Sequence, residues 1–290
     1  LTPLNCSSDN SMVYLNGKFI PKKKAYVSVM DRGFLFGDGI YEVFPVYGKI
    51  IVGEEFHLRR LQEGLDTINI VNPHSNEDWG QLIRDLISYH QDYQNQSIYL
   101  QVSRGCDEDR KHTHNDLIPT VYMQSTAFTS KSKNDLLKGS SAITRDDIRW
   151  NQCNTKSISL LANIIYAQEA KNHQAEETIL CRNGVITECS SSNIFIVNND
   201  CIYTHPEGSH ILSGVTRKIV LNCANDCQIL AKEKTFTKQE LMQADEVWIT
   251  SSTREIMPIT SIDGILINSG KIGDVWTLIY DRYQELKNIN

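Results

Sequence analysis

Several short stretches of this sequence carry side chains able to do covalent, acid–base or anion-binding work. Lys156 stands in NQCNTKSISLLANIIYAQEA, ahead of an apolar stripe at Leu160, Leu161, Ile164 and Ile165 that reads as a helix. Asn154, Thr155, Ser157 and Ser159 suit the N-terminus of that helix. The positive end of a helix dipole disfavours a cation. An amine placed there gives up its proton more easily and becomes a nucleophile, as a lysine that condenses with a carbonyl must be. A solvated loop lysine is the ordinary alternative.

GVITECSSSNIFIVNND puts Glu188, Cys189 and three serines between two apolar runs. A surface carboxylate beside a serine loop is the ordinary reading. The chemical one is a buried acceptor for a protonated ring nitrogen, with hydroxyls and amides around it. ILSGVTRKIVLNCAN enters a helix through Ser213-Gly214-Val215-Thr216, where amides form an anion site or are simply capped. TSSTREI ends a strand and offers Ser251 and Ser252 as further donors to an anion. Arg60 lies off the leucine face of its helix, able to reach an anion or to sit on the surface like Arg59, which has Glu55 at i−4. Arg110-Lys111-His112 follows a strand, and an arginine fork grips a carboxylate with two bonds. A basic-acidic loop is otherwise just solvated. Tyr41, after the Gly37-Asp38-Gly39 turn, either presents its hydroxyl to a pocket or belongs to a core.

These residues need elements to hold them. MVYLNGKFI reads as a hairpin turning at Asn16-Gly17. A strand over Ile40 to Val46 carries Tyr41, with Pro45 demanding an edge or a bulge. Leu58, Leu61, Leu65 and Ile68 mark one helix, EDWGQLIRDLISYHQ a second, and SIYLQVSRG and PTVYMQS two strands. The polar run TAFTSKSKNDLLK follows. Beyond it, helices are expected at 160–172, 215–225, 238–243 and 274–287, and strands at 141–143, 177–181, 193–197, 201–204 and 246–250. The expected organisation is a disordered lead over residues 1–11, a small domain over 12–126, a linker over 127–138 and a large domain over 139–290.

The bulk composition narrows the function. The 290 residues are 40% hydrophobic, enough for one large or two ordinary cores. A net charge of −6 gives no footprint for nucleic acid or an anionic membrane. No stretch approaches the ~20 apolar residues of a spanning helix, and no leader peptide is visible at the start. The eight cysteines show no metal-ligand spacing and read as reduced thiols of a cytoplasmic protein. The glycosylation patterns at Asn5 and Asn95 read as chance matches.

Taken together and in this order, DRGFLFGDGIYEV, DIRW…TKSISLLANIIYAQEA, ITECSSSNIF and ILSGVTR resemble the fold-type IV pyridoxal-phosphate enzymes. That family includes D-amino acid aminotransferases, branched-chain aminotransferases and aminodeoxychorismate lyases, and the resemblance runs from about Met12 to the C-terminus. Arg110-x-His112 and Tyr41 place the chain nearest the D-amino acid branch. The resemblance implies an α+β fold of two domains: a smaller N-terminal α/β sandwich, and a larger domain with a barrel-like sheet and helices. It implies that Lys156 bonds to the aldehyde of pyridoxal 5′-phosphate and moves the proton at the substrate α-carbon. Glu188 would face the pyridine nitrogen. Arg60, Val215, Thr216, Ser251 and Ser252 would hold the phosphate, and Arg110, His112 and Tyr41 the substrate carboxylate. The implied reaction is transamination between a D-amino acid of the D-alanine type and a 2-oxo acid such as 2-oxoglutarate, in a homodimer without metal. A branched-chain or R-amine aminotransferase, or an aminodeoxychorismate lyase, is the alternative on the same fold. The chain departs from the pattern in a loop before Arg110 about one residue longer, in the rival cations Lys111 and His114, in Cys189 where glycine is commoner, and in Pro45.

Overall fold

Asn16 and Gly17 adopt positive φ angles of 45° and 89°. That geometry closes the first hairpin, β1 (Met12–Leu15) against β2 (Lys18–Pro21), with Leu15 opposite Lys18. The structure, a computed structural model, describes residues 11–289. The lead expected over residues 1–11 lies outside that range apart from Ser11. The chain forms two compact units: residues through Thr129 together with Thr155–Ser159, and Ser130–Asn154 together with Leu160 onward. The stretch 127–138, expected as a plain linker, holds both this boundary and a short helix, α4 below.

The first unit continues with α1 (Arg32–Phe36), β3 (Gly39–Tyr47), β4 (Ile50–Ile51), α2 (Glu54–Thr67), α3 (Asn76–Ser88), β5 (Asn95–Ser103) and β6 (Thr120–Ala127). Its six strands pair antiparallel in the order β2-β1-β6-β5-β3-β4. Alternation sets the packing: Ile40, Phe44 and Val46 of β3 and Ile98, Leu100 and Val102 of β5 are buried with Leu58, Leu61 and Leu65 of α2 and Trp79, Ile83 and Leu86 of α3. A reciprocal cap between Ser75 and Asp78 starts α3. Pro45 is accommodated because its carbonyl accepts from Val52, so its missing amide also points away from β5. Residues 155–159 run antiparallel to the start of β3. Ser157 bridges Ile40, the Lys156 carbonyl accepts from the Tyr41 amide (3.0 Å) and the Gly39 carbonyl from the Ile158 amide (3.0 Å).

The second unit comprises α4 (Lys133–Leu136), β7 (Ser140–Asp146), α5 (Leu161–Asn172), β8 (Glu177–Arg182), β9 (Val185–Cys189), β10 (Asn193–Asn198), β11 (Cys201–Thr204), α6 (Val215–Asp226), β12 (Ala231–Glu233), α7 (Lys238–Met242), β13 (Glu246–Ser251), β14 (Glu255–Ile262), β15 (Ile265–Leu266) and α8 (Asp274–Ile289). Hydrogen bonds run in the order β12-β11-β10-β13-β14-β7-β8-β9, and β15 pairs with β14. A tight turn with the Cys189 amide on the Ser192 carbonyl (2.7 Å) draws β9 back to β10, so the sheet curls. Inside, Phe195 stacks on Trp248 at 5.5 Å, and α6 and α8 contribute Val220, Cys223, Trp276, Ile279 and Tyr283. Glu246 fixes α8 by accepting from the amides of Val275 and Trp276 (3.0 and 2.8 Å). Both units mix helices with sheet, the α+β content that the resemblance implies.

Candidate active site

The acidic part of the site is built in the second unit from the β9–β10 turn. Glu188 sits on β9 and is 4% exposed. One carboxylate oxygen accepts from Arg149 Nη1, while the other accepts from Asn193 Nδ2 and from the Leu212 amide, each at 3.0 Å. Arg149 is itself locked by Asp147, which takes its Nε (2.9 Å) and Nη2 (3.0 Å) and also accepts from Thr187. Burial pushes the Glu188 carboxyl up to about 7, against the pull of Arg149. For Asp147 burial acts the same way, but Arg149 wins and holds that carboxyl below its usual range.

The neighbouring serines serve a different acid. Ser190, Ser191 and Ser192 all donate to Glu177 of β8, joined by Arg254 Nη1 at 2.7 Å. The expectation that these hydroxyls surround Glu188 is therefore corrected. A carboxylate 1% exposed at the mouth of the turn needs donors, and the turn supplies them to Glu177.

The residues expected to bind an anion lie on α6 and at the end of β13. Val215 and Thr216 open α6, whose cap residue Gly214 offers no side-chain hydrogen bond to the first-turn amides. Gly214 is required by close approach: a Cβ there would lie 1.9 Å from Asn193 Oδ1. Ser251 ends β13 and accepts from the Arg254 amide at 3.3 Å, and Ser252 follows in the turn. Thr250, beside them, keeps a buried hydroxyl that has no hydrogen-bond partner among the described residues.

In the first unit, Lys156 lies on the extended segment beside β3, its Nζ 4.2 Å from the centroid of the Tyr41 ring. The helix expected over 160–172 is α5 (Leu161–Asn172), with Leu160 as a cap residue that makes no side-chain cap bond, and Lys156 lies ahead of it, outside its first turn. The dipole argument for Lys156 thus falls, because a strand-like pairing holds the residue instead. Tyr41 also stacks on Tyr99 of β5 at 5.6 Å.

Arg60 proves to be a buried residue, not a surface one. Its Nε and Nη2 donate to the two oxygens of Glu42 at 2.7 and 2.9 Å, and His57 Nδ1 lies 2.8 Å from Glu42. Burial opposes ionisation of Glu42, but Arg60 outweighs it and holds the carboxyl well below its usual range. Burial pushes the His57 imidazole down, only partly countered by Glu42. Arg59 rests on Phe56 at 5.9 Å.

Arg110 and His112 are exposed on the loop between β5 and β6, meeting at Phe36. Among the described residues no hydrogen bond or ring contact joins either to Tyr41. The rival cations are engaged locally, Lys111 with Asp109 at 2.8 Å and His114 with the Asn115 carbonyl at 3.0 Å.

Glu42, His57, Asp147 and Arg149 were not singled out from the sequence. A signal existed for Glu42: the alternation of β3 turns it to the same side as Ile40 and Phe44, and a carboxylate there must find a cation. For Arg149 only its place in DIRW was visible.

These residues fit a phosphorylated pyridine aldehyde. A buried acid with a raised proton affinity suits a basic ring nitrogen, and an uncapped helix start on α6 and a buried hydroxyl on β13 that has no partner among the described residues suit a phosphate. Among the described residues no cluster could hold a metal ion.

The sequence matches the family described as amino-transferase class IV over residues 39–262. It is 40% identical to a D-alanine aminotransferase of Bacillus licheniformis over 265 residues, covering 90% of this chain and 92% of that one. It is 36% identical to a D-alanine aminotransferase of Listeria monocytogenes serotype 1/2a (strain 10403S), covering 94% and 95%. Among solved structures, the T.th. branched-chain amino acid aminotransferase with pyridoxamine 5′-phosphate superposes with a TM-score of 0.88 at 22% identity, covering 97% and 95%. The last of these is a likeness of fold.

Proposed function

Because this chain belongs to the class IV aminotransferases, we propose that it carries out transamination between a D-amino acid, D-alanine in type, and a 2-oxo acid such as 2-oxoglutarate, with each residue acting as follows. Pyridoxal 5′-phosphate, when bound, supplies an aldehyde that condenses with amines and a ring that accepts electrons from the substrate α-carbon. Lys156 provides the amine that holds this aldehyde at rest, and afterwards carries the proton from the substrate α-carbon. A positioned base of this kind contributes about 10²–10⁴-fold. Glu188 accepts a hydrogen bond from the protonated ring nitrogen and keeps the proton there. Arg149 and Asn193 orient Glu188 for that task. The amides of Val215 and Thr216, the hydroxyls of Ser251 and Ser252, and Arg60 hold the phosphate. Arg110, His112 and Tyr41 hold the substrate carboxylate, which decides the α-hydrogen presented to Lys156.

The observation that carries this chemistry is the seat of Glu188, a fully buried acid whose proton affinity burial has raised to near neutrality. The choice of D-amino acid rests on the names of the relatives. The test is spectroscopic. D-Alanine converts the protein to its pyridoxamine form, and L-alanine and L-leucine do not. Conversion by L-leucine without response to D-alanine would replace this reading with a branched-chain specificity.

The family resemblance further implies a homodimer. Exposed apolar side chains such as Tyr26, Val29 and Phe34 in the first unit, and Leu161 and Ile164 in the second, favour it. Light scattering that returns the mass of a single chain would remove this part of the reading. A cytoplasmic location suits the unpaired state of all seven described cysteines. Cell fractionation tests it.

A further inference from the structure

We infer that Arg32 and Phe36 are positioning residues that set the orientation of Arg110 and His112. This rests on the carboxylate role proposed above for those two. Residues 107–118 contain no helix or strand and are largely exposed, so no sheet ladder holds their backbone. Arg32, in contrast, is 4% exposed, and all its donor nitrogens are committed. Nε donates to Asp38 (2.9 Å), Nη1 to the Lys111 carbonyl (2.6 Å) and Nη2 to the His112 carbonyl (2.9 Å). Those two carbonyls belong to the two peptide groups that flank His112. A planar guanidinium bonded to both fixes the backbone of His112 on each side, which a single ammonium cannot do.

The clasp is anchored from below. Asp38 accepts two bonds from Arg104, from Nε at 2.8 Å and Nη2 at 3.0 Å, and Arg104 also donates to the carbonyls of Ile68 and Asn69. Burial works against ionisation of Asp38, but Arg104 and Arg32 together hold its carboxyl below the usual range. Arg32 therefore has a fixed counter-charge and cannot swing toward solvent without abandoning it.

Phe36 supplies the second hold. Arg32 Cζ lies 4.8 Å and Arg110 Cζ 5.0 Å from its ring centroid, and the His112 ring meets it edge-on at 5.7 Å and 71°. One aromatic ring thus touches both residues assigned to the carboxylate and the arginine that clasps their backbone. The Arg110 side chain is otherwise exposed. The stretch DRGFLFGDG accordingly serves as a cradle for a loop about eighty residues further along the chain, as the separation of Arg32 from Lys111 shows.

The test uses the holoenzyme with D-alanine and 2-oxoglutarate. Arg32→Lys, Phe36→Leu and Arg110→Ala are made singly, and Arg32→Lys is also combined with Arg110→Ala. Expected for Arg32→Lys and Phe36→Leu is a rise of about tenfold in KM for D-alanine, equivalent to about 1.4 kcal/mol, with a smaller fall in kcat and full cofactor absorbance. In the double variant Arg32→Lys adds little to the effect of Arg110→Ala, because it acts through that residue and its loop. A merely structural role would lower kcat and cofactor content together, or add independently to Arg110→Ala, and either result overturns the inference. If Arg110→Ala raises KM and neither cradle variant does, the inference fails while the carboxylate reading stands. If Arg110→Ala leaves KM unchanged, the carboxylate reading itself fails, and the inference with it. Should Arg32→Lys not fold, Phe36→Leu decides by the same measurements.

Discussion

Arg149 reaches Glu188 with one guanidinium nitrogen while its other two nitrogens are fastened to Asp147. The pair is buried, and burial lifts the Glu188 carboxyl while Arg149 pulls it back. Glu188→Gln keeps the shape and removes the charge. A hydrogen bond to a charged group contributes about 1.5–3 kcal/mol, so kcat is expected to fall by about one to two powers of ten. Cofactor content, read from visible absorbance, stays near wild type. Loss of the cofactor with kcat per bound cofactor unchanged would reassign Glu188 to binding alone.

Lys156 is the only lysine on the segment that pairs with β3. Borohydride treatment of the holoenzyme followed by peptide mapping should place the label on Lys156. Lys156→Ala should lower turnover by at least about 10²-fold, the lower end of what a positioned proton carrier supplies. A label on any other side chain would discard the assignment.

Glu42 gives a pH prediction with a definite sign. Its folded-state carboxyl is held well below the usual range, because Arg60 overcomes the effect of burial. The stability it contributes is present above its unfolded pKa, near 4.5, and is lost as pH falls toward the folded value. Over that window the slope for one group is about 1.4 kcal/mol per pH unit. Denaturant titrations of the wild type and Glu42→Gln between pH 4.5 and 3 should therefore converge as the pH is lowered. Parallel curves would show that Glu42 is not ionised in the native state.

Gly214→Ala tests the close approach that seats α6. The new Cβ would lie 1.9 Å from Asn193 Oδ1, so Asn193 must turn and give up its bonds to Glu188 and to the Leu212 carbonyl. Overpacking of this kind costs about 1–3 kcal/mol, seen as a lower melting temperature and a weaker hold on pyridoxal phosphate. Adding Asn193→Ala should restore part of the melting temperature by removing the collision. No recovery would mean that the strain lies elsewhere.

The parts of the site that were legible from sequence are those with a local signature. Asn16-Gly17 announced its hairpin, the Leu58, Leu61 and Leu65 spacing announced α2, and ILSGVTR announced a helix start with bare amides. What stayed hidden depended on long-range pairing. Strand β14 escaped because Pro258 interrupts it, yet Pro258 sits opposite Trp248 in a regular ladder. The serine run beside Glu188 was read with its neighbour in sequence, whereas its partner Glu177 lies on a different strand. Lys156 was given a helix terminus by nearness along the chain, and the pairing with β3 could not be seen from either segment alone.

The grip of Arg32 has a bearing on how such a loop can drift. Its two contacts at positions 111 and 112 are main-chain oxygens, which every amino acid provides. Replacement of Lys111 or His112 alters what the loop displays and leaves the grip of Arg32 intact, with only the ring contact of His112 on Phe36 given up at the second position. Mutational scanning should accordingly find the displayed positions far more permissive for folding than Arg32, so that new substrate preferences can be explored there with little danger to the fold.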